Sequence, residues 1–263
     1  ALDAAVALTP AGAHRFTGHT HPAYSNLVGP FGGTIAATLL NGVLSHPERL
    51  GDPLSLTVHY AAPITDGAFE VHARPMRTNR STQHWLVELR QGDAVAAFAT
   101  VLTAVRRDTW SATDAVFPSV PSAESLPRHP GVFRTEWPKA YDMRFTDGEQ
   151  VLDNVVRDDA VTRVWLRDEP PRPLDFLALS AICDAFIPRV FVRRSRAVPA
   201  GTVTLTVYFH ADAALLAAQG TAHVLGCAKG LRYSQGFHDQ TAEIWSAQGD
   251  LLAVGHQVVY FKE

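Results

Sequence analysis

The chain repeats itself, and the repeat limits the folds open to it. Leu54-Ser55-Leu56-Thr57-Val58-His59-Tyr60 aligns with Val203-Thr204-Leu205-Thr206-Val207-Tyr208-Phe209, with three positions identical and most of the rest similar. Both runs are rich in β-branched and aromatic residues and read as strands. Gly92-Asp93 then precedes a strand-like run to Val105, and Gly249-Asp250 precedes one to Phe261. Gly-Asp between two such runs marks a hairpin turn. The distance from first strand to turn is 38 residues in one copy and 46 in the other, so the second copy carries an insertion. A duplication of this kind argues for two similar units packed together.

Each run of strands follows a strongly apolar segment. The first spans about Gly33 to Leu44, ended by His46-Pro47, and the second about Leu174 to Phe191, with Pro188 near its end. Both are apolar almost all round, as a buried helix is. The segment from Arg107 to Pro130 is rich in Ser, Pro, Asp and Ala without periodicity and reads as a linker over the surface. The expected architecture is α+β: a curled antiparallel sheet around a central helix, made twice, with the two open sheet edges paired. The units are an N-terminal repeat over 1–107, a linker over 108–134 and a C-terminal repeat over 135–263.

With 263 residues, 46% of them apolar, the chain has enough material for a large core. No run of about 18 apolar residues occurs, so no membrane-spanning helix is expected. No charged n-region and apolar h-region open the sequence. The formal net charge of -3 speaks against nucleic-acid binding. Two cysteines, Cys183 and Cys227, cannot make a disulfide framework and lack metal-ligand spacing, which makes a reducing cytoplasm the default compartment.

Several local motifs are shared with one family. Gly29-Pro30-Phe31-Gly32-Gly33 stands before an Ala-rich helix. Arg77-Thr78-Asn79-Arg80-Ser81 is followed by Val87-Glu88-Leu89-Arg90-Gln91-Gly92. The second copy has Asp184 in its helical segment, Thr202 opening a strand that ends Tyr208-Phe209-His210, then Ile244-Trp245-Ser246-Ala247-Gln248-Gly249 and Gly255-His256-Gln257. In order and spacing, from about Phe16 to Tyr260, the chain resembles the type II acyl-CoA thioesterases, which have a double-hotdog fold. The resemblance implies hydrolysis of an acyl-CoA to free acid and CoA without a cofactor or metal. It implies a catalytic set of Asp184, Thr202 and Gln257, with Thr204 as an alternative hydroxyl.

Those residue types suit the chemistry. Thioester hydrolysis needs a directed water, a group to take its proton and donors for the oxyanion. Asp184 lies among Leu179, Ile182, Phe186 and Ile187, where lost hydration raises a carboxyl pKa. Gln257 can donate and accept without adding charge, and Thr202 can donate to either neighbour. Gly32 and Gly33, at a helix start, are candidate backbone donors to the oxyanion. The competing readings are a buried acid partnered by an arginine, a solvent-facing Gln257 and a Thr202 chosen only for strand propensity. Superposing the repeats sets Thr100 opposite Gln257 and, more loosely, Asn41 opposite Asp184, which leaves one complete site per chain.

Other constellations carry less. His19 and His21, with His14 nearby, lack an accompanying acid or cysteine in the same stretch. No Gly-x-Ser-x-Gly occurs, and Cys183 in an apolar segment reads as packing. Gly29 to Gly33 fits no nucleotide fingerprint. Arg74, Arg77 and Arg80, or Arg189, Arg193, Arg194 and Arg196, are available to the phosphates of CoA, although a solvated rim is the better account of any one of them and none is assigned as a ligand. Two other functions compete with the thioesterase. One is a duplicated hotdog that binds acyl thioesters or only assembles. The other is an enoyl-thioester hydratase or dehydratase, which would need an Asp–His pair and to which His210 and His256 are the nearest candidates. The partner expected is a small acyl-CoA, with room for a homo-oligomer.

Overall fold

The computed structural model describes residues 1–130, 135–149 and 152–262. The N-terminal half contributes strands β1 (Thr9–Gly12), β2 (Arg15–His19), β3 (Asp52–Tyr60), β4 (Ala68–Thr78), β5 (Thr82–Gln91) and β6 (Ala94–Ala104). The C-terminal half contributes β7 (Tyr141–Asp147), β8 (Thr162–Asp168), β9 (Ala200–Phe209), β10 (Val224–Lys229), β11 (Tyr233–Ser234), β12 (Phe237–Trp245) and β13 (Leu251–Phe261). All join one antiparallel sheet in the order β1-β2-β4-β5-β6-β3-β9-β13-β12-β10-β8-β7, with β11 on β12. The helices are α1 (Leu2–Ala5), α2 (Gly32–Leu44), α3 (Phe176–Ile182), α4 (Arg189–Arg194) and α5 (Ala213–Gln219). The sheet curls around α2 in one half and α3 in the other, and these two helices pack together, which makes the fold a double hotdog.

The repeated strands are the seam. β3 pairs β9 antiparallel, with Thr57 opposite Thr206 at the centre. The two hydroxyls lie 3.1 Å apart. Thr57 and Thr206 are also equivalent in the repeat, so the pseudo-twofold axis passes between them. Pairing β3 with β9 satisfies what would otherwise be two exposed edges. Leu56, Val58, Leu205 and Val207 point inward from the seam and are fully buried. The insertion in the second copy is α5 and its flanking turns, between β9 and β10.

Three expectations need correction. The second apolar segment is not one helix from Leu174 to Phe191. α3 ends at Ile182, and Asp184 lies in the tight turns after it, where Asp184 N–H donates to the Ala181 carbonyl and Phe186 N–H to Asp184's own. Pro188 supplies no N–H and disfavours helix at Ile187, so the segment restarts only at α4. The linker, over the part described, does more than cross the surface. Phe117, Val120, Ala123 and Leu126 cover Trp165, Leu225 and Trp245 on the outside of the sheet. Its last residues, 131–134, lie outside the described residues. Finally, Thr100 is not the counterpart of Gln257. Thr57 pairs Thr100 and Thr206 pairs His256, which makes Val101 the equivalent of Gln257. Between the equivalent pairs Arg90–Val95 and Trp245–Leu251 the first hairpin has four residues and the second five, so aligning the Gly-Asp turns slips the strand by one, onto the opposite face. Thr100 is exposed, whereas Val101 is buried. Asn41 sits inside α2 and donates to the Val6 carbonyl at 2.7 Å, tying down the N-terminal segment.

Candidate active site

Asp184, Thr202 and Gln257 meet at the inner face of the sheet, beside the start of α2. Gln257 points inward from β13, and its Nε2 donates to Asp184 Oδ1 at 2.9 Å. The same amide nitrogen lies 3.4 Å from the Cys183 carbonyl. Thr202 Oγ1 donates to Gln257 Oε1 at 3.3 Å. Hydroxyl, carboxamide and carboxylate thus form one chain of hydrogen bonds. Thr202 reaches it through a β-bulge: Val258 pairs Thr204 but Val259 pairs Thr202, leaving Val203 unpaired. Without that extra residue, strand alternation would turn Thr202 away from Gln257. Thr204 stays on the outward face with Thr206.

The N-terminal half completes the surroundings. Phe31 stacks on Trp137 with ring centroids 4.2 Å apart, which presses the start of α2 against the C-terminal half. A methyl group added at Gly32 would lie 2.6 Å from Asp184 Oδ2, and one at Gly33 would lie 2.6 Å from the Ala181 carbonyl oxygen. Both positions therefore need glycine for close approach. The Gly33 N–H donates to the Asp184 carboxylate. As an oxyanion donor it is already engaged by the acid, and Gly32 supplies the other N–H of this helix start.

Burial raises the Asp184 carboxyl to about 7, against the opposing pull of the Gln257 and Gly33 hydrogen bonds. Among the described residues no Lys, Arg or His forms an ion pair with it, so the arginine-partnered reading has no support in the geometry. Cys183 beside it is fully buried, and burial pushes its thiol up, away from a reactive thiolate. Cys183 and Cys227 are both free.

Tyr60 is the neighbour that sequence reasoning missed. Its hydroxyl donates to the Gly32 carbonyl at 2.9 Å, and burial together with the Asp184 charge raises its own pKa well above the ordinary value. One signal was available: its counterpart in the repeat is Phe209, which has no hydroxyl. Tyr60→Phe removes the tie that sets α2 against Asp184. The expected result is a several-fold fall in turnover with melting temperature nearly unchanged, checked by steady-state kinetics beside a thermal melt.

Of the arginines offered for phosphate, Arg189 is spent elsewhere. It is fully buried and donates to the carbonyls of Ile187 and Ala160, to Thr162 Oγ1 at 2.7 Å and to Gln240 Oε1 at 3.0 Å. Burial lowers its pKa to about 10. Arg189→Ala would strand several buried acceptors, at roughly 1–3 kcal/mol each. The expected result is a lower urea midpoint without a specific effect on substrate affinity.

His14 meets His46 rather than His19 or His21. His14 Nδ1 lies 2.8 Å from His46 Nε2, with Glu48 in the same cluster. The Glu48 backbone N–H donates to His46 Nδ1. Neutral His46 therefore carries its proton on Nε2 and donates it to His14. A metal at that nitrogen would push the proton onto Nδ1, against an N–H. The trio is built for hydrogen bonding and fits a metal poorly.

A space of about 20 Å³ lies under α2, lined by Thr34, Ile35, Thr38, Ile64 and Phe69 among others. It holds a methyl group or a water, so an acyl tail entering there would have to displace side chains. No helix among the described residues is long and apolar enough to cross a membrane.

The fold is thus a duplicated hotdog, with a buried acid–amide–hydroxyl chain where the start of α2 meets the C-terminal half. Residues 20–105 match the N-terminal domain of acyl-CoA thioesterases, and residues 117–261 match the C-terminal domain. The chain belongs to the acyl-CoA thioesterase family. It is similar to a conserved hotdog protein of unknown function from Alicyclobacillus acidocaldarius, with 47% identity and a TM-score of 0.95 over 100% of this chain and 98% of that one. It also resembles a putative thioesterase II from Thermobifida fusca (19% identity, TM-score 0.84, 100% and 97% covered). A tesB protein from Mycobacterium avium subspecies paratuberculosis is similar in fold (18%, 0.82, 100% and 98%). No curated protein matches the chain.

Proposed function

We propose that this protein hydrolyses an acyl-CoA to the free acid and CoA by direct attack of water, in the cytoplasm and at one site per chain. The observation that carries the reading is the buried Asp184 carboxylate, paired with no cation among the described residues, tied to Gln257 and raised to about 7. A carboxyl poised near neutrality and lacking a counter-ion costs the fold stability at neutral pH, whereas it is what a general base requires.

Gln257 spends its amide hydrogens on Asp184 and the Cys183 carbonyl, and its Oε1 accepts from Thr202. The second lone pair of Oε1 remains for a water, whose other hydrogen goes to Asp184. That pairing aims the water's own lone pair at the thioester carbonyl carbon. Asp184 takes the proton as the C–O bond forms, and the Gly32 N–H stabilises the oxyanion at the helix start. Collapse breaks the C–S bond, and the departing thiolate receives the proton held by Asp184. Val101 at the equivalent place in the first half has no amide, so that half lines the site instead of duplicating it.

A thiol-trapping dye with a panel of acyl-CoAs tests the reading, and release of free thiol is the expected result. Loss of 2-enoyl-CoA absorbance without free thiol would replace it with a hydratase. His210 and His256 speak against that outcome, since His256 faces outward from β13 and His210 lies past the end of β9. Binding of every thioester without turnover would leave a carrier or assembly protein.

A further inference from the structure

Gln257 has a second carboxamide beside it. On β12, Gln240 stands directly opposite Gln257 of β13. Directly opposed residues of an antiparallel pair share a face, with Cβ atoms about 5 Å apart. Gln240 therefore also points inward, and it is 2% exposed. Its carboxamide is held at one end only, where Arg189 Nε donates to Gln240 Oε1 at 3.0 Å. A guanidinium has no acceptor, so this contact fixes the oxygen toward Arg189 and the amide nitrogen away from it. Gln240 Nε2 is buried and has no hydrogen-bond partner among the described residues. Buried donors left in that way are rare in folded chains. Gln257 offers the matching half, because its Oε1 accepts from Thr202 and keeps a second lone pair. An unpaired donor and a half-used acceptor, one strand apart and beside the Asp184 carboxylate, are the partners that a buried water needs. In the first half the equivalent pair is Trp85 and Val101, so both amides are missing together from the half that lacks the acid.

We propose that Gln240 is a further catalytic residue, donating a hydrogen bond to the attacking water. The inference rests on the hydrolytic reading above and supplies a contact that reading leaves open. The water gives one hydrogen to Gln257 Oε1 and the other to Asp184, which leaves two lone pairs able to meet the thioester carbonyl carbon. Gln240 Nε2 occupies one of them, so the other is aimed. The proton still passes to Asp184 as the C–O bond forms, and Gln240 exchanges none. Arg189 strengthens the donor. It is fully buried and all its acceptors are neutral. Its charge against Oε1 therefore polarises the amide toward a stronger N–H.

Gln240→Met removes the amide while Arg189 Nε keeps the Ile187 carbonyl. With a thiol-releasing acyl-CoA, kcat is expected to fall about tenfold, the worth of one neutral hydrogen bond, at unchanged KM. The rising limb of kcat/KM should stay in place, since neither end of the Gln240 amide bonds to Asp184. Gln240→Glu keeps the Arg189 contact and adds a counter-charge but cannot donate. Its kcat on the high-pH plateau should be as low, with no loss of melting temperature. If glutamate restores the wild-type kcat that methionine loses, Gln240 only holds Arg189 and the proposal falls. Wild-type kcat in both variants overturns it too. A crystal structure of the wild type separates this inference from the reading beneath it. One ordered water about 3 Å from Gln240 Nε2, Gln257 Oε1 and the Asp184 carboxylate is expected. Its absence from a protein that releases thiol overturns the role of Gln240 alone. Its presence in a protein that releases no thiol from any acyl-CoA overturns the hydrolytic reading, and the catalytic role with it.

Discussion

Asp184→Asn is expected to lower thioester turnover about a thousandfold, within the range general-base catalysis supplies, while making the protein more stable at alkaline pH. The second half follows from the carboxyl being raised from 3.8 to about 7 by burial. A group whose pKa rises on folding stabilises the fold in its protonated form. Its contribution is complete below the unfolded value near 4 and is lost as pH climbs through about 7. The displacement amounts to about 4 kcal/mol between the two protonation states. The asparagine variant does not titrate. Its melting temperature should therefore gain on the wild type by several degrees between about pH 5 and pH 8.5, less whatever the amide loses by facing the Gly33 N–H. Thermal melts of both proteins across that range, alongside the thiol-release assay, check both halves. A variant that melts lower at every pH would make Asp184 a structural acid. One that keeps its turnover would remove it from the chemistry.

Such a trade between stability and activity is common where a site holds a charge that folding disfavours. It also shows what was readable in advance. The duplicated architecture was legible because Leu54–Tyr60 and Val203–Phe209 repeat within a long repeat, and the family motifs named the double hotdog, but that β3 and β9 are the two edges that pair came only from the structure. The surroundings of Asp184 were legible as apolar, but not as a turn. The end of α3 depends on Pro188 and on the space α2 occupies, and neither is a property of local hydropathy. The bulge at Val203 was invisible, because period-2 patterning cannot register one unpaired residue. For the same reason Thr100 stood in for Val101. Tyr60 was missed because its importance comes from Gly32, distant in the chain. The linker was misread because its few apolar residues, Phe117 and Val120 among them, have no period of their own. They pack on Trp165 and Trp245, which only the folded sheet brings together.

Gln257→Met should give the second-largest effect and a diagnostic pH profile. Methionine keeps the length of the side chain but removes the amide that donates to Asp184 and accepts from Thr202. That donor holds the carboxyl down against desolvation. Without it the Asp184 pKa must rise further above 7, and the rising limb of kcat/KM should move to higher pH by about one unit. Turnover near pH 7 is expected to fall about a hundredfold, because fewer molecules carry the base and the water loses Gln257 Oε1. Part of the loss should return near pH 9, where the base is again ionised. Thr202→Val touches only the amide and should move the limb in the same direction by less. An unshifted limb in Gln257→Met would mean that the titrating group is not Asp184. A larger shift in Thr202→Val than in Gln257→Met would reverse the order of contacts, making the hydroxyl the direct partner of the base.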